Sequence, residues 1–345
     1  MILKHINVEQ RMNHYNVQGL SITLLRDDEI SEHKNFGILD ATSDRKVNDE
    51  SIFNACSISK FLTAMAVMTL VDEGLLNLDT NVNEYLISWK IPNNNFAIHK
   101  NVTLRNLLSH QSGIIDPEHS FPIQQASSDC PSIVEILEGK TPYCKIPIEG
   151  MYEPLSEFHY SDAGYCIIQQ VIEDVINLPF HHVINKRIFE PLAMNNSHFH
   201  KTISTVAPSN LASGHNKHGE IVEGKYPIYP YPAASGLWTT STDLAKVVLE
   251  LMHALKGNSK LGISKNLASE MIRPQFEKSW TGLGVFIDYH EGDIEISSLG
   301  WGVGFQCMVV ALPYKGEGAV ILTNSELGVH QLEGLIGEVY KALLP

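Results

Sequence analysis

Cysteine is scarce in this 345-residue chain. The five present, Cys56, Cys130, Cys144, Cys166 and Cys307, are odd in number and widely scattered, and no C-x-x-C pair occurs. That pattern excludes a zinc ribbon and a dithiol redox motif. A reducing compartment fits, with a Cys130–Cys144 bridge as the local alternative. Basic residues are also in deficit: 25 Lys+Arg stand against 39 Asp+Glu, a net charge of -14. Phosphate binding needs a basic surface, so neither a nucleic acid nor an anionic membrane is expected as a partner. The charge is read as a solubility device. No apolar run reaches the ~20 residues that span a bilayer. The first segment, Met1 to Gly19, is interrupted by polar residues throughout and has no signal-peptide core. The expected location is cytoplasmic, or extracellular if a signal has been removed. Sixteen histidines are present, densest at His181–His182 and His198–Phe199–His200, but no H-E-x-x-H occurs. No metal and no cofactor are therefore expected.

What is present is an ordinary globular composition, 43% apolar and 19% charged. The length suits two domains, or one domain with a large insertion. Leu20–Leu25, the polar turn Arg26-Asp27-Asp28-Glu29 and Phe36–Leu39 predict a hairpin. A helix is expected from Ser57 to Glu73, with Phe61, Leu62, Met65, Met68 and Val71 apolar nearly all round, hence buried; Gly74 stops it. Thr103 caps a helix through Leu104, Leu107 and Leu108. Another helix runs from Ala163 to Ile176, ended by Asn177 and Pro179, and a further one from Asp243 to Gly257. The runs Leu283–Ile287, Ile294–Ser298, Gln306–Leu312 and Ala319–Thr323 read as an antiparallel meander, with a closing helix over Leu332–Leu344. The expected fold is α/β in the α+β sense: an antiparallel sheet flanked by helices with an inserted all-α part. Residues 1–80 and 227–345 would form the sheet domain and 81–226 the helical insertion, with the site between them.

Three constellations can carry chemistry. A serine hydroxyl becomes a nucleophile beside a base, and a lysine at i+3 of a helix shares its face. A helix N-terminus also favours a developing anion. The spacing Ser-x-x-Lys occurs three times, as Ser31…Lys34, Ser43…Lys46 and Ser57…Lys60. Ser31 is placed in the hairpin turn and Ser43 in a polar loop. Only Ser57 opens a long buried helix. A phenol near a cation can act as a base. Of the twelve tyrosines, only Tyr160 has Asn or Asp two positions on, at Asp162. The third constellation is Ser298-Leu299-Gly300-Trp301-Gly302-Val303-Gly304-Phe305, where glycine at a strand junction permits close backbone approach and an N–H can face an oxyanion.

Taken in order along the chain, these segments resemble the serine β-lactamase and penicillin-binding-protein family, in its class C-like, esterase-like and D-aminopeptidase-like branch. The resemblance is carried by Phe53 to Ala64, Val71 to Asp79, Thr103 to Gly113, Tyr160 to Tyr165, Glu190 to Met194, Ala234 to Ala245 and Gly300 to Phe305. It implies a serine hydrolase with Ser57 as the acylated nucleophile and Lys60 as its proton partner. Tyr160 would serve the leaving group and the deacylating water. The backbone N–H groups of Ser57 and Trp301 would form the oxyanion hole, and Asp162, Ser298 and Gly300 would contact substrate. Ester, β-lactam or D-amino-acid peptide bonds are the implied targets, and the only partner expected is a small-molecule or peptide substrate, on a monomer or weak oligomer.

Two positions depart from the family pattern. Asp162 stands where an Asn is usual, and an ionised carboxylate there favours a charged Lys60. Ser298 stands where a Lys or His is usual, which removes a cation for a substrate carboxylate and favours esters or amides lacking one. Both departures also motivate the alternative of a catalytically weak relative that binds a peptide or cell-wall fragment without turnover. His110 is read as structural, Cys56 as packing on the helix, and Tyr226 to Pro232 as a pocket wall.

Overall fold

The computed structural model describes residues 6–92, 100–123, 130–199 and 209–343. The strands are β1 Gly19–Arg26, β2 Glu29–Gly37, β3 Phe53–Asn54, β4 His198–Phe199, β5 Leu237–Thr239, β6 Phe286–His290, β7 Asp293–Gly302, β8 Phe305–Leu312 and β9 Glu317–Thr323. The α-helices are α1 Val8–Tyr15, α2 Ser59–Asp72, α3 Val82–Tyr85, α4 Leu104–Leu108, α5 Ile133–Leu137, α6 Asp162–Ile176, α7 Phe180–Ile184, α8 Ser241–Leu255, α9 Lys265–Met271 and α10 Leu335–Leu343. Six strands form an antiparallel sheet in the order β2-β1-β9-β8-β7-β6, and β3-β5-β4 make a small second sheet. The expected antiparallel sheet flanked by helices is present. Its strands come from both ends of the chain.

Side chains alternate along each strand, so the two faces of the sheet bury different residues. Leu20, Ile22, Leu24, Met308, Val310 and Ile321 meet Val8 and Met12 of α1 and Leu335 and Val339 of α10. On the other face, Val309, Val320 and Leu322 join a continuous cluster with Phe61, Leu107, Ile168 and Val247. The helical middle therefore packs directly against the helices under the sheet. Each such buried side chain contributes roughly 1.5–3 kcal/mol before entropy is counted. As expected, α2 is buried all round, from Ser59 to Leu70.

Several boundaries differ from the sequence expectation. The hairpin turn is only Asp27-Asp28, both at positive φ (53° and 60°), which matches strand twist. Ser31 thus lies in β2, not in the turn, and its hydroxyl donates to the Leu24 carbonyl at 3.1 Å. β2 is an edge strand with mostly polar, half-exposed side chains, so no alternation marks it. α1 was not expected because only Val8 and Met12 face the core. It is held by the Arg11 guanidinium, which donates to both Glu338 oxygens at 2.6 and 2.7 Å. The apolar run from Leu283 is not strand until Phe286; Gly284 turns at φ 77° and donates to the Leu108 carbonyl at 3.1 Å. β7 extends to Gly302, so Gly300 and Gly302 lie inside it and the turn is Val303-Gly304. Cys144 has a free thiol that donates to the Ile146 carbonyl at 3.1 Å, so the Cys130–Cys144 bridge is not formed. His200 and Leu344 lie outside the described residues.

Candidate active site

β6 pairs with β7 only as far as Ser297, while β7 continues to Gly302 against β8 alone. The last part of β7 therefore has one open edge, and a one-turn 3-10 helix, Cys56–Ile58, packs beside it. A Cβ on Gly300 would lie 2.3 Å from the Ala55 carbonyl oxygen, and one on Gly302 would lie 2.8 Å from Cys56 Sγ. Glycine at these two positions is what lets the strand approach the turn.

That turn sets Ser57 at the mouth of α2. Cys56 precedes the helix instead of riding on it, with φ 49°, a region costly for a residue with a Cβ. Its N–H donates to Asn54 Oδ1 at 2.8 Å, and Ala55 N–H donates to the Leu237 carbonyl at 2.8 Å. Ser59 Oγ donates to the Cys56 carbonyl at 2.7 Å. Burial pushes the Cys56 thiol well up, consistent with packing.

Lys60 follows one helical turn after Ser57. Its side chain is 3% exposed, and its ammonium donates to Asp162 Oδ1 at 2.5 Å, the Ala234 carbonyl at 3.0 Å and Ser57 Oγ at 3.3 Å. An ammonium has three donors, and all three are engaged. Burial draws Lys60 toward its neutral form, but the Asp162 charge and the Tyr160 phenol outweigh it and hold Lys60 well above the ordinary lysine value. The ammonium also lies 4.7 Å from the Tyr160 ring centroid. At neutral pH this lysine is a cation.

Tyr160 precedes α6, and its ring stacks on His110 with centroids 4.3 Å apart. His110 is buried, and its Nδ1 accepts the Ser161 N–H at 3.1 Å. Burial and the Lys60 charge push the imidazole well below the ordinary histidine value, so it is neutral. His110 is thus the floor under Tyr160, in keeping with a structural reading. Ser57, Lys60, Tyr160 and Ser298 line one cleft, with His110, Val285 and Phe286. Asp162 reaches Lys60 at its inner end. Trp301 stands outside, 41% exposed, its indole N–H donating to Glu326 Oε1 at 3.1 Å. Ser31 and Ser43 are elsewhere; Ser43 accepts from Arg45 at 3.3 Å in its loop. Tyr229, Pro230 and Pro232 line a separate cavity, so the proline-rich tract is a pocket wall.

One residue was missed. Asp116 accepts from Ser161 Oγ, Asp162 N and Ala163 N at 3.0, 3.0 and 2.8 Å, across 45 to 47 residues of chain. No local pattern announces such a contact. Among the described residues, no group of three or more His, Cys, Asp or Glu could hold a metal. No described helix is long and apolar enough to cross a membrane.

Residues 7–337 match the family described as Beta-lactamase, and the chain belongs to it. Among curated proteins it is similar to Protein flp of Staphylococcus aureus (strain NCTC 8325 / PS 47), 23% identical over 331 residues, covering 92% of this chain and 61% of the relative. The chain thus spans about three fifths of the length of the first such relatives. Among solved structures it resembles the octameric penicillin-binding protein homologue of Pyrococcus abyssi, at TM-score 0.78 and 24% identity over 97% of this chain and 75% of that one. It also resembles the D-alanine carboxypeptidase AmpC of Burkholderia cenocepacia, at TM-score 0.74 and 17% identity over 97% of each chain. These likenesses are in the fold.

Proposed function

We propose that the protein is a serine hydrolase that forms an acyl-enzyme at Ser57 and acts on ester, β-lactam or D-amino-acid peptide bonds. The observation that carries this reading is Ser57 Oγ lying 3.3 Å from Lys60 Nζ, at the start of a buried helix and in one cleft with Tyr160. In acylation, Ser57 Oγ bonds to the substrate carbonyl carbon and releases its proton. A charged Lys60 has no lone pair. It accepts that proton only as it passes one of its own to Asp162 across the 2.5 Å bond, or from its neutral fraction at alkaline pH. The Ser57 and Trp301 N–H groups stabilise the oxyanion. Tyr160 protonates the leaving group and then draws a proton from the deacylating water. Ser298 and Gly300 bound the substrate on the β7 side, and the neutral Ser298 favours substrates without a carboxylate.

The full engagement of the Lys60 donors supports a second reading, a binder of peptide or cell-wall fragments without turnover. Labelling with a fluorescent β-lactam and a fluorophosphonate separates the two. A hydrolase becomes covalently labelled at Ser57, and a pure binder does not.

A further inference from the structure

The segment carrying Tyr160 and Asp162 is pinned to the chain around residues 110–116 at two levels. The inner level is His110, whose carbonyl accepts the His159 N–H at 2.9 Å and whose Nδ1 accepts the Ser161 N–H at 3.1 Å. The outer level is Asp116. One of its oxygens accepts Ser161 Oγ (3.0 Å) and Ala163 N (2.8 Å), and the other accepts Asp162 N (3.0 Å). Ser161 Oγ in turn accepts Gly164 N at 2.9 Å. The free N–H groups at the start of α6 are thereby satisfied by a carboxylate from a distant loop, together with the local cap.

We infer that Asp116 is a positioning residue for acylation: by holding the Ser161–Ala163 backbone, it sets the neighbouring Tyr160 ring over His110, in the cleft with Ser57 and Lys60. The inference rests on the Ser57 acyl-enzyme reading. Burial and the Asp162 charge push the Asp116 carboxyl up to about 6, against the pull of its backbone donors, so its ionisation costs the fold stability. The titratable groups facing it are Asp162 and Cys166 on α6, Cys144 on the preceding loop and Tyr231 before β5, with Lys60 beyond Asp162. Protonation of Asp116 turns one acceptor oxygen into a hydroxyl and releases part of the clamp. Asp116→Asn fixes that weakened state at every pH.

The test compares fluorophosphonate acylation rates of the wild type and Asp116→Asn from pH 4.5 to 9, with thermal midpoints at pH 8. The wild-type rate is expected to fall on acidification with an inflection near pH 6. Asp116→Asn should be slower at pH 8 by about tenfold or more, should lack that inflection, and should show no lower thermal midpoint. A wild-type rate and inflection in the variant overturn the inference. So does a rate loss matched by a lower thermal midpoint, which would make Asp116 merely structural. A second measurement is independent of turnover. In Ser57→Ala protein, the amide resonances of Asp162 and Ala163 should titrate with the same inflection, and adding Asp116→Asn should abolish it and shift the Lys60 Cε resonance. Static resonances overturn the inference, whereas absence of labelling in the wild type overturns the Ser57 reading alone.

Discussion

Replacing Asp162 by Asn removes the one carboxylate among the described residues that pairs with the buried Lys60 ammonium. Breaking a buried ion pair by neutralising one partner costs about 3–5 kcal/mol. The Asp162 side chain is 20% exposed, and Asn keeps an acceptor oxygen, so roughly 2–3 kcal/mol is the scaled figure. At 1.36 kcal/mol per pK unit, this amounts to a fall in the Lys60 value of about two units. Burial, already drawing Lys60 down, is then opposed by less. In the wild type the folded value lies above the unfolded one. The pair's contribution to stability is therefore complete below the ordinary lysine value and is lost only as pH rises through the folded value. Lys60 as a free base needs the alkaline side of that titration, so wild-type acylation should climb toward high pH. Asp162→Asn should move the midpoint of that climb acidward by about two units, and lower the stability at pH 7 by roughly 2 kcal/mol in urea unfolding. The assay is the acylation rate constant by stopped-flow with a chromogenic β-lactam or a fluorophosphonate, from pH 5 to 10. Superimposable profiles from a folded variant would refute the reasoning and leave acylation to Tyr160 alone.

Ser57→Ala should abolish labelling with the fold intact by circular dichroism, whereas Ser31→Ala and Ser43→Ala should label as the wild type does; retained labelling in Ser57→Ala would sink the nucleophile. Ser298→Lys or Ser298→His should raise activity on a β-lactam or D-Ala peptide relative to a neutral p-nitrophenyl ester. One charge-assisted hydrogen bond is worth roughly 1.5–3 kcal/mol, so the ratio should shift about tenfold or more, and an unchanged ratio would place Ser298 away from any carboxylate. Gly300→Ala puts a methyl against the Ala55 carbonyl oxygen, only 2.3 Å from the ideal Cβ. The strand must shift, at a cost of roughly 1–3 kcal/mol, and labelling should slow as β7 leaves the Ser57 turn. Wild-type labelling in that variant would show that the close approach is not needed.

What could be read from the sequence follows from how far apart the interacting residues lie. Ser57 and Lys60 are three positions apart, on the one-turn 3-10 helix and on the first turn of α2 that continues it, so their meeting is a local fact and was legible. The central strands were legible because apolar residues fill both faces, while β2, polar at the sheet edge, left no period to find. The run from Leu283 misled because a buried apolar run need not be a strand: Leu283 and Val285 fill the core from the turn before β6, and Val285 and Phe286 also line the cleft. Asp116 was out of reach because its three bonds span 45 to 47 residues and depend on the finished fold. The charge state of Lys60 falls between these cases. The sequence shows a carboxylate two residues after Tyr160, but whether it meets the lysine depends on where α6 begins relative to α2. Its N-terminus is held by His110 and Asp116, both from the segment after α4. The meeting of Lys60 and Asp162 is thus a product of how α2 and α6 dock, which no spacing in the sequence shows.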